Sequence, residues 1–567
     1  SSHFSHRNSR ACRSAFCADS LSARIDQTRT IISGMAPPRH ASGFLRRQRF
    51  APLILLAAVS AVCAALCSLA TLVTFVAAPA PSLTLRKRNW HGTARGAATA
   101  TLEVQGLAPD PASDVVGDGL PPSEQRPGFT DREAFAEGPS VAFWRGLDPY
   151  APEASALPTA TDVTGVDAQY WLYHMGRSSF FAAQAATGVL VSEAARQLAG
   201  LGAASSSFLS GAPSERSPSI LKALMDNPTR EVQARFEESA AAFRQDLGNI
   251  KSGYFKQPFD MNPKHRQFSP FYIADKASRW LEEALGTLKR SRERADTKTW
   301  VDASSDIYPE YYQHTFHYQT DGWFSSKSAE VYETSTETLF LGRQDAMQRS
   351  TLVHIARFLD RWRAEGIGAH AGLQPRLLEI ACGTGRVMTF IRDNWPTMDV
   401  TASDLSPFYL EKARENNAYW ERRFAPKSET LGRASFVQAN SESLPFEDGS
   451  FDIIASVYLF HELPPDAQDA TVAEAARVLA PGGVFVLTDS NQLGDRKYSD
   501  KNMGKFGNFA EPYYRDYIRR DLAALARKHG LEPFEKEMSS STKSLSFRKS
   551  TKVANAASGS NSTGAAI

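Results

Sequence analysis

A chain of 567 residues has room for two or three domains, and 42% hydrophobic with 22% charged residues is globular composition that allows a sizeable core. The net charge of +2 is unevenly spread: residues 1–95 hold 13 Lys/Arg against Asp19 and Asp26, which leaves 51 basic and 60 acidic residues downstream. An acidic body argues against a phosphate-neutralising surface, so no nucleic-acid partner is expected, and with only Cys382 beyond residue 67 it can form neither an internal disulfide nor a cysteine-based zinc site.

In chain order, Met35 is the natural start, with residues 1–34 as translated leader. Arg46, Arg47 and Arg49 precede a stretch from Ala51 to Leu85 without a charged residue, long enough to span a bilayer. No acid occurs between Asp26 and Glu103, and the apolar run gives way to "LTLRKRNWHGTARGAATATLEV", which is basic and hydroxylated. Two readings stand: a secretory signal followed by a transit segment across residues 1–105, or a transmembrane anchor with a short flank. In either case the apolar segment engages a membrane, during targeting or as an anchor. "FVAAPAPSL" (Phe75 to Leu83) resembles the phenylalanine-led motif at the signal/transit junction of dinoflagellate plastid presequences, which implies a plastid location.

Residues 106–160, with "LAPDPASD" and "GLPPSEQRPG", have the composition of a mobile linker. Residues 161–335 are expected to be mainly helical, ending in an aromatic segment with Tyr308, Tyr311, Tyr312, Phe316, Tyr318 and Trp323. That segment is a candidate lid over an apolar site, as is "NFAEPYYRDY" with Tyr513 and Tyr514; packing of helices on a sheet is the equal alternative. His314 and His317 lack a third ligand in the sequence, so no metal is expected. Residues 336–548 alternate strand and helix. Strand candidates are Arg376–Ala381, Asp399–Ser403, Ser435–Ala439, Phe451–Val457 and Val484–Thr488, and "SPFYLEKARENN" is a helix with Ser406 as N-cap and Pro407 first. This pattern predicts an α/β fold with a parallel sheet covered on both faces and ligands at the strands' carboxyl ends. The tail over 549–567 is low-complexity.

"LLEIACGTGRV" (Leu377 to Val387) decides the ligand class. Gly383 and Gly385 fit two positions of the dinucleotide fingerprint, but Met388 stands at the third, and no G-K-[ST] follows for a phosphate loop. Glu379 inside the strand opposes a pyrophosphate and suits a cationic ligand. Asp404 ends the second strand 21 residues after Gly383, where an acid accepts hydrogen bonds from ribose hydroxyls.

On these residues the chain resembles the class I methyltransferases that use S-adenosylmethionine, in their type 11 branch. The E/D-x-x-x-G-x-G motif is met by Glu379, Gly383 and Gly385; Asn440 stands where the family usually has Asp; "EAARVLAPGGVFVLTDS" fits the signature around the fifth strand, with Gly482 and Gly483 as the turn before it. The resemblance implies a Rossmann-like seven-stranded sheet behind a helical region. It assigns Glu379 to the methionyl end, Asp404 to the ribose, and Leu405, Asn440 and the Ser441 amide to the adenine. Tyr458 would line the sulfonium or the acceptor. Cys382 is read as a small filler of the turn. "YLFHELP", "TDSNQLGDR", "EPYYRDYIRRDL" and "TDGWFSSKSAEVYE" are similar to a group of cyanobacterial and plant-plastid methyltransferases. The expected activity is in-line methyl transfer to a small, apolar metabolite, with His461 the candidate base and Glu462 its partner or a solvated acid. A catalytically silent binding or assembly module and a nicotinamide-dependent oxidoreductase are the alternatives.

Overall fold

The computed structural model describes residues 164–203, 228–293, 307–313, 316–365, 374–495 and 511–551. The charge-free run, the transit-like segment, the linker over 106–160, His314 and the tail beyond residue 551 lie outside the described residues, and so does the Tyr318 side chain. Among the described residues no helix is long and apolar enough to cross a membrane.

Three long helices come first: α1 (Ala168–Ala203), α2 (Pro228–Lys251) and α3 (Pro270–Glu293). After the aromatic segment follow α4 (Ser326–Leu339), the short α5 (Gln344–Gln348) and α6 (Ser350–Glu365). The expected mainly helical region is therefore present. The alternating part gives β1 (Arg376–Ile380), α7 (Arg386–Asn394), β2 (Asp399–Asp404), α8 (Pro407–Arg423), β3 (Ala434–Gln438), β4 (Phe451–Val457), α9 (Pro465–Val478) and β5 (Leu479–Ser490). The chain closes with α10 (Tyr514–Tyr517), α11 (Leu522–Lys528), β6 (Leu531–Ser539) and β7 (Thr542–Lys549).

The seven strands run in the order β3-β2-β1-β4-β5-β7-β6, parallel from β3 to β5, with β7 antiparallel to both of its neighbours. The sequence reading placed the first five; the β6–β7 hairpin completes the sheet and makes it mixed. Alternation sorts side chains to the two faces. Leu377, Val400, Ile453, Val484 and Val486 join α6 and α7 on one side, while Leu378, Ile380, Ile454, Phe485 and Leu487 join α9 and α11 on the other. With both faces covered, these strands read as continuous apolar runs. Glu379 shares the parity of Leu377, so its carboxyl is carried to the α6/α7 face among apolar side chains.

One local expectation needs correction. Gly482 and Gly483 do not form a turn ahead of the fifth strand; β5 begins at Leu479 and pairs with Phe451 before the register jumps to Val484 opposite Ile453. Pro481-Gly482-Gly483 is thus an irregularity inside one long strand, with Gly482 at φ +81°. A side chain at position 483 would meet the Asp452 and Ala480 carbonyls at 2.8 and 2.9 Å.

Buried ion pairs fasten the helical region to the sheet. Arg349 at the start of α6 clamps Asp246 of α2 with two hydrogen bonds of 2.9 and 2.7 Å, and both residues are 2% exposed. Asp246→Ala leaves that guanidinium uncompensated and is expected to cost about 3–5 kcal/mol, read as a lower urea midpoint at unchanged slope.

Candidate active site

The carboxyl ends of β1, β2 and β4 converge on the turn Cys382–Gly385. That turn enters α7, and both its glycines have positive φ, +55° at Gly383 and +73° at Gly385. The two glycines serve different needs. A Cβ on Gly385 would lie 2.9 Å from the Ala413 Cβ, so this glycine lets α7 and α8 approach. A Cβ on Gly383 would meet nothing within 4 Å, so that side of the turn faces open space where a ligand can contact backbone. Met388, in place of a third glycine, is fully buried in the core.

Two carboxyls flank this space. Glu379 is 2% exposed, takes the Met388 amide as a donor, and has Oε2 buried with no partner among the described residues. Burial, with the Asp404 charge nearby, pushes its carboxyl up to about 8. Asp404 accepts the Gly383 amide through Oδ2 and the Ser406 amide through Oδ1, each at 2.8 Å. Burial pushes it up to about 6 against those amide bonds, and it braces the turn directly. An orphaned carboxylate oxygen beside an open backbone cradle fits a ligand with a cationic methionyl end and a ribose, as expected for S-adenosylmethionine.

The remaining candidates are placed as follows. Ser406 caps α8 by accepting the Tyr409 amide, with Pro407 first in the helix, as predicted. Leu405 is buried against Tyr312 and Phe324. Asn440 Oδ1 accepts the Glu442 amide at 3.0 Å, so its turn is partly self-satisfied, and the Ser441 hydroxyl meets that of Thr471 at 2.9 Å. Tyr458 has φ +56°; its ring is parallel to Phe340 at 6.1 Å and its hydroxyl meets Thr542 at 2.5 Å. The Cys382 thiol is buried and burial pushes it well above its ordinary value, which suits a filler of the turn.

The aromatic segment sits closer to the cofactor side than a lid over the acceptor alone would. Tyr312 and Phe324 close on Leu405, Phe316 stacks on Trp323 at 4.3 Å, and the Ser406 hydroxyl donates to the Trp323 carbonyl at 2.5 Å. Tyr311 donates to Glu442 at 2.8 Å and meets Tyr513 edge-on at 6.2 Å, so the two candidate lid segments touch.

His461 does not have the state of a base. Its Nδ1 lies 2.6 Å from Asp489 Oδ1 and its Nε2 3.4 Å from Glu462 Oε1. Burial alone would depress the imidazole, but the two carboxylates hold it well above its ordinary value. A doubly engaged imidazolium has no lone pair for an acceptor's proton. Glu462 is a buried partner of His461, and it also takes His317 Nε2 at 2.7 Å.

Sequence reading did not single out the acidic face of α4. Glu330, Glu333 and Glu337 recur at helical spacing on one face, and together they reach α1, α3, α8 and the glycine turn. Glu330 pairs with Lys276 and Lys412; Glu333 accepts the Thr384 hydroxyl at 2.8 Å and the Asn416 amide at 3.0 Å; Glu337 takes Arg177 at 2.8 Å. The i, i+3, i+7 acidic stripe was the available signal.

Comparison with known proteins agrees with this geometry. Residues 377–483 match the family described as "Methyltransferase domain". An uncharacterised methyltransferase of Synechocystis is 26% identical over 29% of this chain and 69% of its own length. The ubiquinone/menaquinone biosynthesis C-methyltransferase of Shewanella halifaxensis is 33% identical over 29% of this chain and 64% of its own. A malonyl-[acyl-carrier protein] O-methyltransferase of Paenibacillus is 31% identical over 25% and 47%. The chain thus spans about half to two thirds of the length of these curated relatives. Among solved structures, a methyltransferase of Methanosarcina mazei is 19% identical with a TM-score of 0.26, covering 32% of this chain and 94% of that one.

The raised Glu379 carboxyl sets a pH test. It binds its proton in the folded chain up to about pH 8 but in the unfolded chain only to about 4.5, so its contribution is full below 4.5 and is lost as pH rises through 8. The stability difference between the wild type and Glu379→Gln should therefore fall between pH 5 and 8, by up to about 1.4 kcal/mol per pH unit, measured by urea unfolding without ligand. A flat difference would remove the desolvated state assigned to Glu379.

Proposed function

We propose that the class I S-adenosylmethionine-dependent methyltransferase domain formed by residues 376–549 of this chain transfers a methyl group from that cofactor to a small, apolar metabolite. The carrying observation is the open side of Gly383, flanked by the orphaned Glu379 Oε2 and by Asp404. When bound, S-adenosylmethionine supplies a methyl carbon already attached to a good leaving group. The chain's own work is then to bind, align and exclude water. Glu379 faces the cationic end, and Asp404 holds the turn while offering its remaining lone pairs to ribose hydroxyls. Tyr312, Trp323 and Phe324 cover Leu405 on the adenine side. Tyr332 of α4, whose hydroxyl is raised by burial and by the charges of Glu462 and Asp404, packs edge-on against Tyr409 at 5.4 Å. The parallel rings of Tyr458 and Phe340 make an aromatic surface that supports an apolar acceptor. The printed names of the relatives include both C- and O-methyltransferases, so they support the reaction type rather than the acceptor atom.

Calorimetric titration with S-adenosylmethionine is expected to give saturable heat and titration with NAD none; absence of heat with the former overturns this reading. Asp404→Ala should weaken cofactor binding about tenfold or more, a change of ~1.4 kcal/mol, and unchanged affinity would contradict the ribose role. For the address, we propose plastid import through residues 46–105. Sequencing of the native protein should find the mature terminus beyond Phe75, and a terminus before Arg46 would eliminate a cleaved presequence.

A further inference from the structure

Beyond the β4 strand end, five ionisable groups form a continuous chain under the aromatic segment: Asp489, His461, Glu462, His317 and Glu511. Asp489 of β5 holds His461 Nδ1 at 2.6 Å and also accepts the Phe460, His461 and Ser490 amides. His461 Nε2 reaches Glu462 Oε1 at 3.4 Å, His317 Nε2 reaches the same oxygen at 2.7 Å, and His317 Nδ1 reaches Glu511 Oε1 at 3.0 Å. His317 makes this bridge from a left-handed backbone conformation, φ 53°, so the segment bends where the two carboxylates hold the ring.

Glu462 stands out in that chain. It is 7% exposed, and while Oε1 is held by two imidazoles, Oε2 is buried with no hydrogen-bond partner among the described residues. A buried carboxylate oxygen without a donor is costly. Against the effect of burial, the charges of His317 and His461 hold the Glu462 carboxyl well below the usual carboxylate range, so it is the anionic member of the cluster and takes up a proton only as the transfer itself releases one. His317 is raised to about 10, since Glu462 and Glu511 outweigh the opposing effect of burial. Neither imidazole therefore accepts a proton near neutrality, and the Asp489 oxygens are committed.

We infer that Glu462, rather than His461, is the catalytic group on the acceptor side, and that the acceptor is a hydroxyl compound whose O–H donates to Glu462 Oε2. This rests on the methyltransferase reading and adds the acceptor class to it. In the transfer, the acceptor O–H bond breaks and its proton goes to the Glu462 carboxylate. The electron pair left on oxygen forms the new bond to the methyl carbon, and the carbon–sulfur pair departs with sulfur, giving a methyl ether and the neutral thioether. His317 and His461 fix the carboxylate through Oε1, which leaves Oε2 as the unpaired oxygen.

The test uses the full chain saturated with S-adenosylhomocysteine, with 4-propylphenol and 4-propylanisole as probes that differ by one methyl. The phenol should bind about tenfold or more tightly than the ether. The preference should fall to within about twofold in Glu462→Ala and be reduced in the isosteric Glu462→Gln, which guards against a folding defect. S-adenosylmethionine affinity should stay within about twofold of wild type in both variants. Equal binding of the two probes, binding of neither, or a preference that survives in both variants overturns the assignment and leaves Oε2 to a structural water. Loss of S-adenosylmethionine binding by the wild-type chain would instead break the underlying methyltransferase reading.

Discussion

Arg386 is the residue on which the two halves of the described structure meet. It is the first residue of the glycine-turn helix α7, and its guanidinium engages Asp345 twice, at 2.9 and 2.5 Å, and Asp260 as well. Asp345 and Glu337 share Arg177 of α1, at 2.9 and 2.8 Å. Two guanidiniums thus stand among three buried carboxylates, with Glu337 pushed up to about 7 by burial despite Arg177. Such a network adds little net stability over an apolar core, yet removing one member strands the others. Its consequence is geometric. The turn that contacts the ligand cannot shift without disturbing α1, α4 and α5, so the helical region is part of the site's frame and more than an appended cover.

The same logic explains α4. Its acidic face spreads Glu330, Glu333 and Glu337 over α3, α8, the glycine turn and α1. One helix braces the turn through Glu333 while the adjacent Tyr332 feels the charges of both Glu462 and Asp404. Charged side chains at this density are tolerated because each acid finds a donor on a separate element, which spreads desolvation among well-made hydrogen bonds.

Much of the fold was legible because its signals are local. The apolar runs of β1 and β4, the Ser406-Pro407 helix start and the Glu379/Gly383/Gly385/Asp404 spacing each depend on few residues, and each appears where the sequence placed it. The β6–β7 hairpin was not read, since "LEPFEKEMS" and "TKSLSFRK" mix charge with strand formers and gain their identity only by pairing with each other and, through β7, with β5. The β5 bulge was misplaced for a related reason: a Pro-Gly-Gly run looks like a turn until a partner strand shows the register jump. The roles of His461 and Glu462 depend on His317, 144 residues before His461, and on Glu511, contacts that no local pattern encodes.

The distribution of uncompensated charge also orders the chemistry. Away from the ligand, acids such as Asp246 and Asp345 are paired with arginines. Around the open side of Gly383 and past β4, buried carboxylate oxygens of Glu379 and Glu462 are left without donors. Asp260, Glu283, Glu337 and Asp393 also keep a buried carboxyl oxygen without a donor among the described residues, so what sets Glu379 apart is its place beside the open side of Gly383. Glu379, protonated up to about pH 8 when no ligand is bound, is driven to ionise by a cationic ligand beside it, and an anionic nucleotide offers no such gain. A buried carboxyl oxygen without a donor beside the backbone cradle is therefore the feature that distinguishes this site from a dinucleotide turn of the same outline.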